Sequence, residues 1–83
     1  MSHSLALSDL ALSTWENIVR PDAKLAETLN KVFDEIENGT RRYQQYMNHA
    51  RFTTLSVPGR DDQYMVVWEV EDEGPLVLGI GKV

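Results

Sequence analysis

The sequence contains no cysteine, which excludes a disulfide framework and any thiolate-held metal. No apolar run approaches the ~18 residues that cross a bilayer, so no membrane partner is expected. The first residues carry neither a basic cluster nor a long apolar stretch, so no secretory signal is read there. A cytoplasmic protein is the default expectation. Glycine and proline are sparse, five and three in 83 residues, and neither a linker, a low-complexity tract nor an internal repeat is visible. Basic residues are in the minority: eight Lys and Arg against thirteen Asp and Glu give a net charge of −5. Such a surface repels phosphate at long range, so any contact with nucleic acid has to be local. One domain spanning 1–83 is expected, with a core of marginal size.

A second absence is local. Residues 40–60 contain no Asp or Glu. They hold Arg41, Arg42, Arg51 and Arg60, interleaved with Tyr43, Tyr46, His49 and Phe52. Guanidinium groups grip phosphates and aromatic rings stack on bases. Arg41, Arg42, Tyr43, Tyr46, Arg51 and Arg60 are therefore candidate nucleic-acid contacts. The same residues admit a plainer alternative, in which the arginines pair with the acidic remainder of the chain and the tyrosines cover a sheet. His49 is a candidate general base, because an unperturbed imidazole titrates near neutrality; His3 is a weaker one. Arg60 beside Asp61 and Asp62 reads as an exposed turn of alternating charge. Glu71, Asp72 and Glu73 read as a solvated hairpin tip, since three adjacent acids cannot converge on one centre. Neither a metal nor a cofactor is implied.

The apolar pattern orders the elements. Residues 2–8 alternate weakly, as in a short edge strand. Ser8 or Asp9 offers an oxygen to the free amides of a starting helix. Ala11, Trp15, Ile18 and Val19 share one face of that helix, which stops before Pro21. Asp22 caps a second helix whose stripe is Leu25, Ala26, Leu29, Val32, Phe33 and Ile36, closed by Gly39. The two helices form an antiparallel hairpin. Thr40–Ala50 is ambiguous: Tyr43, Tyr46, Met47 and Ala50 are helically spaced, while Asn48 and His49 are loop residues. Phe52–Val57 reads as a strand and Pro58–Asp62 as a turn. In the strand Tyr64–Val70, Tyr64, Val66, Trp68 and Val70 share one face, and Met65 and Val67 the other; two apolar faces imply a central, buried strand. Glu71–Pro75 turns, and Leu76–Ile80 returns as the next strand. Trp15 and Trp68 are expected in the core. The fold class is α+β: a short N-terminal strand and a two-helix hairpin packed on an antiparallel sheet of three further meandering strands.

Three stretches, covering nearly the whole chain, carry a family likeness. Leu5–Ile18, LALSDLALSTWENI, resembles the opening strand and Ala-Leu-x-x-Trp helix of the RelE/ParE superfamily of bacterial toxins. Leu25–Ile36 resembles that family's second helix. Gln63–Lys82, QYMVVWEVEDEGPLVLGIGK, resembles its apolar strand, acidic turn, second apolar strand and terminal Gly-Lys. The resemblance implies cleavage of messenger RNA on the ribosome or gyrase poisoning, with a cognate antitoxin as partner. It also implies basic side chains that activate a ribose hydroxyl and stabilise the charged transition state. At the matching positions this chain has Met65 where an arginine is expected, and Thr53 and Thr54 where basic residues are expected. Only Lys82 matches; Arg51 and Arg60 lie nearby. The candidate catalytic residues are thus Arg51, Arg60, Lys82 and His49. The expectation is a toxin-like component of a type II toxin–antitoxin-type system that binds an antitoxin-like protein or a second copy of itself, with ribonuclease activity weak or lost. The alternatives are a ribosome-dependent endoribonuclease acting on mRNA through relocated basic residues in 40–60, and a small dimeric interaction domain.

Overall fold

The computed structural model describes residues 5–83; the beginning of the expected first strand, with His3, lies outside them. Ser8 has an extended backbone and its hydroxyl accepts the Ala11 amide, which satisfies one of the free donors at the start of a helix. Helix α1 runs Asp9–Thr14 and continues into a π-helical turn, Trp15–Val19, where the Arg20 amide reaches back five residues to the Trp15 carbonyl at 2.7 Å. The wider turn rotates the residues beyond Trp15 relative to an α-helix. Ile18, expected on the buried stripe, consequently turns outward and is 55% exposed, while Ala11 and Val19 are fully buried.

Helix α2, Ala23–Asn38, begins where Asp22 accepts the Leu25 amide and ends at Gly39, whose φ of 76° lies in the left-handed region. Both terminal signals behave as the sequence indicated. Leu25, Leu29, Val32 and Ile36 are buried, with Ala26 and Phe33 packed along their flank.

Among the described residues, five strands form one sheet: β1 Ala6–Leu7, β2 Gln44–Gln45, β3 Arg51–Ser56, β4 Gln63–Glu71 and β5 Gly74–Lys82, in the order β1-β5-β4-β3-β2. Strand β1 runs parallel to β5 and every other pair is antiparallel. The α+β hairpin-on-sheet class is as expected, with one strand more. That strand, β2, resolves the ambiguity at 40–50. The helically spaced tyrosines do not form a helix, because Asn48 takes a positive φ of 55° and the chain doubles back there. Asparagine tolerates that conformation better than most residues.

The register sorts side chains by face. Arg51, Thr53 and Leu55 on β3 pair with Trp68, Val66 and Tyr64 on β4, and these lie beneath the helices; Trp68, Val66, Tyr64, Thr53 and Leu55 are buried. Trp15 is half-buried and packs against Phe33 at 5.7 Å between ring centroids. Phe52 and Thr54 pair with Val67 and Met65 on the opposite face. Strand β4 is central as expected, but only one of its faces is covered: both helices pack on the Trp68 side, and Met65 and Val67 are half-buried. Val70, beside the hairpin tip and paired with Pro75, is 56% exposed. A bulge between Val67 and Trp68 shifts the register with β5. The Ser8 hydroxyl donates to the Leu78 carbonyl there at 2.9 Å, so one residue caps α1 and anchors it to the sheet. Among the described residues no helix is long and apolar enough to cross a membrane.

Candidate functional site

The residues after Gly39 reverse direction, which brings Arg41 back against the last turn of α2. Its Nη1 donates to Glu35 Oε1 at 2.9 Å, its Nε to Thr53 Oγ1 at 2.9 Å, and its Nη2 to the Thr54 carbonyl at 2.7 Å. All three nitrogens are committed to joining α2 to β3. Arg60, in the β3–β4 turn, is committed in the same way at the other end of α2. Its Nη1 donates to both carboxylate oxygens of Asp22, at 2.8 and 3.0 Å, while Nε and Nη2 donate to Asp62. Lys82 adds a longer contact to Asp62, 3.7 Å.

Mutual charge holds this cluster ionised. Hydrogen bonding from Arg60, and then from the Leu25 amide, lowers the Asp22 carboxyl below its usual range. Arg60 lowers Asp62 most, with the Lys82 charge adding to it and burial opposing. The Arg60 guanidinium is pushed further up by Asp62 and Asp22. At the β4–β5 tip the sign reverses: a hydrogen bond that the protonated Glu71 carboxyl donates to Glu69, then burial and the charges of Glu69, Glu73 and Asp72, raise Glu71.

Arg51 lies over the Tyr43 ring, 4.3 Å from its centroid, and Tyr43 meets Trp68 edge-on at 6.0 Å. This stack closes the helix-covered face. Tyr46 packs edge-on against Phe52 at 5.8 Å. Arg42 is exposed and makes no hydrogen bond or ion pair among the described residues. His49 is exposed in the turn beside Asn48, without a hydrogen-bonded partner among the described residues. The acid-free segment thus splits. Arg41 and Arg60 hold the fold together, Arg51 and Tyr43 cap Trp68, and Arg42 is the one arginine of the segment left unengaged among the described residues.

A broad open groove of about 650 Å³ follows this segment, bordered by Arg41, Arg42, Tyr43, Gln44, Phe52 and Thr54. A smaller apolar cavity of about 240 Å³ sits between β1 and the helices, against Leu5, Leu7, Trp15 and Phe33. Of the positions that the family resemblance assigns to catalysis, Thr54 and Met65 meet, beside a Gly81 that holds no such role, while Thr53 and Lys82 do not join them. Thr54, Met65 and Gly81 stand side by side across β3, β4 and β5 on the open face. Thr53 points beneath the helices and accepts from Arg41, and Lys82 pairs with Tyr64 in register, one residue out of phase with that row. The plainer reading, arginines paired with the acidic remainder of the chain, holds for Arg41 with Glu35 and Arg60 with Asp22, though sequence reading did not identify those acids. A glycine C-cap two residues before Arg41 was the available signal for the first, since it folds the chain back over the helix end. No family model, curated protein or solved structure matches this chain.

Proposed function

We propose that this domain is a RelE/ParE-like, toxin-like module that acts by binding another protein, as one half of an antitoxin-type complex, with ribonuclease activity weak or lost. The observation that carries this reading is the row Thr54–Met65–Gly81. Cleavage through a ribose hydroxyl requires cations and strong donors at the developing charge, and loss of one such donor costs ~10²–10³ in rate. A thioether is only a weak acceptor, and Lys82, the one matching cation, stands one residue out of phase with this row. Binding needs no such donors. The uncovered sheet face and Leu10, Leu12 and Ile18 on the first helix, 70%, 45% and 55% exposed, provide apolar surface of the kind that marks interaction sites.

A second reading has one observation in its favour: the groove beside Arg42 and the Arg51–Tyr43 stack combine cation and ring as RNA contacts do. Expression of the protein alone, with growth and message length followed, separates the two. The binding reading expects no arrest, intact messages, and co-purification with the product of an adjacent small reading frame. Growth arrest with cleaved messages, relieved by Arg42→Ala or Arg51→Ala, would establish the ribonuclease instead. Arg60→Ala is unsuited to that experiment, because Arg60 anchors α2.

A further inference from the structure

The open face of the sheet can be laid out in cross-strand rows. Phe52, Val67 and Gly79 form one row; Thr54, Met65 and Gly81 form the next; Glu69 and Leu76 lie on the other side of Val67. Continuing the Gln44–Phe52 pairing by two residues sets Arg42 beside Thr54, and both border the same groove. The face is therefore apolar in the middle and charged at two corners. One corner is Arg42, exposed and unengaged. The other is Glu69 with Glu71, two residues apart on one side of β4, crowded enough that the ionised form of Glu71 is disfavoured. Neither carboxylate has a cation against it among the described residues.

These corners lie diagonally on either side of Phe52, about 10 Å apart across the strands and about 13 Å along them from strand spacing and rise. A face with one cation and one anion placed symmetrically about a central aromatic is complementary to itself. Building on the reading that this domain works by binding, we infer that the open sheet face is the contact between two copies of this chain. A two-fold axis at Phe52 sets Arg42 of each copy against Glu69 and Glu71 of the other. Such an axis crosses the strands of the two sheets at near right angles, one of the two ways in which sheets pack. Gly79 and Gly81 suit the approach. A Cβ at either would meet nothing within 4 Å, so nothing inside the chain requires glycine there, and strand glycines often mark close approach of another backbone.

The whole open face, charged corners included, is about 20 by 25 Å from strand spacing and rise, so a pair of copies that covers it completely buries about 1,000 Å², the lower bound for a specific interface. The dimer is accordingly concentration-dependent. Analytical ultracentrifugation over a hundredfold concentration range tests it, with three proteins: wild type, Arg42→Glu and Glu69→Arg. Wild type should pass from monomer to dimer, and each variant alone should need at least about tenfold more protein, since each then sets like charges together. An equimolar mixture of the two variants restores both opposite-charge contacts and should dimerise as wild type does. Circular dichroism on each variant confirms that it is folded. A wild type that stays monomeric, or variants that dimerise like wild type, would overturn the proposal. Monomeric protein that still co-purifies with a neighbouring gene product overturns this inference and leaves the binding reading standing. A dimer that arrests growth by cutting messages does the reverse.

Discussion

Val66 and Val67 are neighbours on β4 with the same side chain, and the sheet sends them to opposite faces. Val66 is fully buried beneath the helices; Val67 is half-buried on the uncovered side, across from Phe52 and Gly79. Truncation to alanine removes the equivalent of two methylenes, ~0.8 kcal/mol each when fully withdrawn from water. At Val66 the cavity left behind adds to this, for a total of about 2–2.5 kcal/mol. At Val67 much of that surface already meets water in the monomer, so the expected loss is below about 1 kcal/mol. A domain of this size loses ~4–8 °C in Tm per kcal/mol, so Val66→Ala should melt about 8–20 °C below wild type. Urea unfolding followed by the fluorescence of Trp15 and Trp68 together, on dilute protein and with unchanged m-values, gives the comparison. Equal losses at the two positions would refute the one-sided sheet. As protein concentration rises, Val67→Ala should fall further behind wild type, because a contact with a second copy would cover that side chain.

Gly39→Ala should cost ~1–2 kcal/mol, since the φ of 76° there disfavours any Cβ; nothing stands within 4 Å of an added Cβ, so the loss is conformational, and chemical denaturation measures it. Arg60→Gln should lower stability at neutral pH and flatten its dependence on acid. Asp22 and Asp62 have folded-state pKa values below the ordinary carboxylate value, so their contribution is present above the unfolded pKa and is lost as pH falls through the lowered folded one. Wild-type stability should therefore decline steeply below about pH 4 and the variant's less so; identical slopes in acid titration of the two proteins would contradict the cluster. Glu71, with a raised pKa, works in the opposite direction, and Glu71→Gln should raise stability near neutrality.

Local chemistry made much of the fold legible. Ser8, Asp22 and Gly39 each mark a helix end through their own backbone preferences, and the α2 stripe needs only the 3.6-residue period. Reading became harder where geometry departs from the ideal period or depends on distant pairing. Ile18 fits an α-helical stripe, and nothing in WENIV announces that the turn will widen. Strand β2 is only two residues long, too short for alternation to register, and it exists because β3 offers it an edge. Met65 and Val67 looked buried because the sequence gives the polarity of a face but not the number of layers above it. The candidate site was legible in composition and not in allegiance: four arginines in an acid-free segment are visible at once, whereas the partners of three of them, Asp22, Glu35, Tyr43 and Asp62, are not.

Those partners explain why an acidic chain keeps a segment free of acids. Helix α2 is anchored to the sheet at both ends by arginines that follow it in sequence. Arg60 holds Asp22 at its start, and Arg41 holds Glu35 in its last turn, where a cation also suits the free carbonyls. Asp22 serves two masters, capping Leu25 while accepting from Arg60, so the guanidinium reaches the positive end of the helix only through an intervening carboxylate. A carboxylate placed within residues 40–60 would compete for these guanidinium groups and loosen one end of α2. On this argument the segment is acid-free chiefly for the sake of the fold. Arg42 is the exception, since it faces away from both anchors and its removal leaves every one of these bonds intact. An Arg42→Ala variant with unchanged stability and altered association would separate the structural arginines from the one left for a partner.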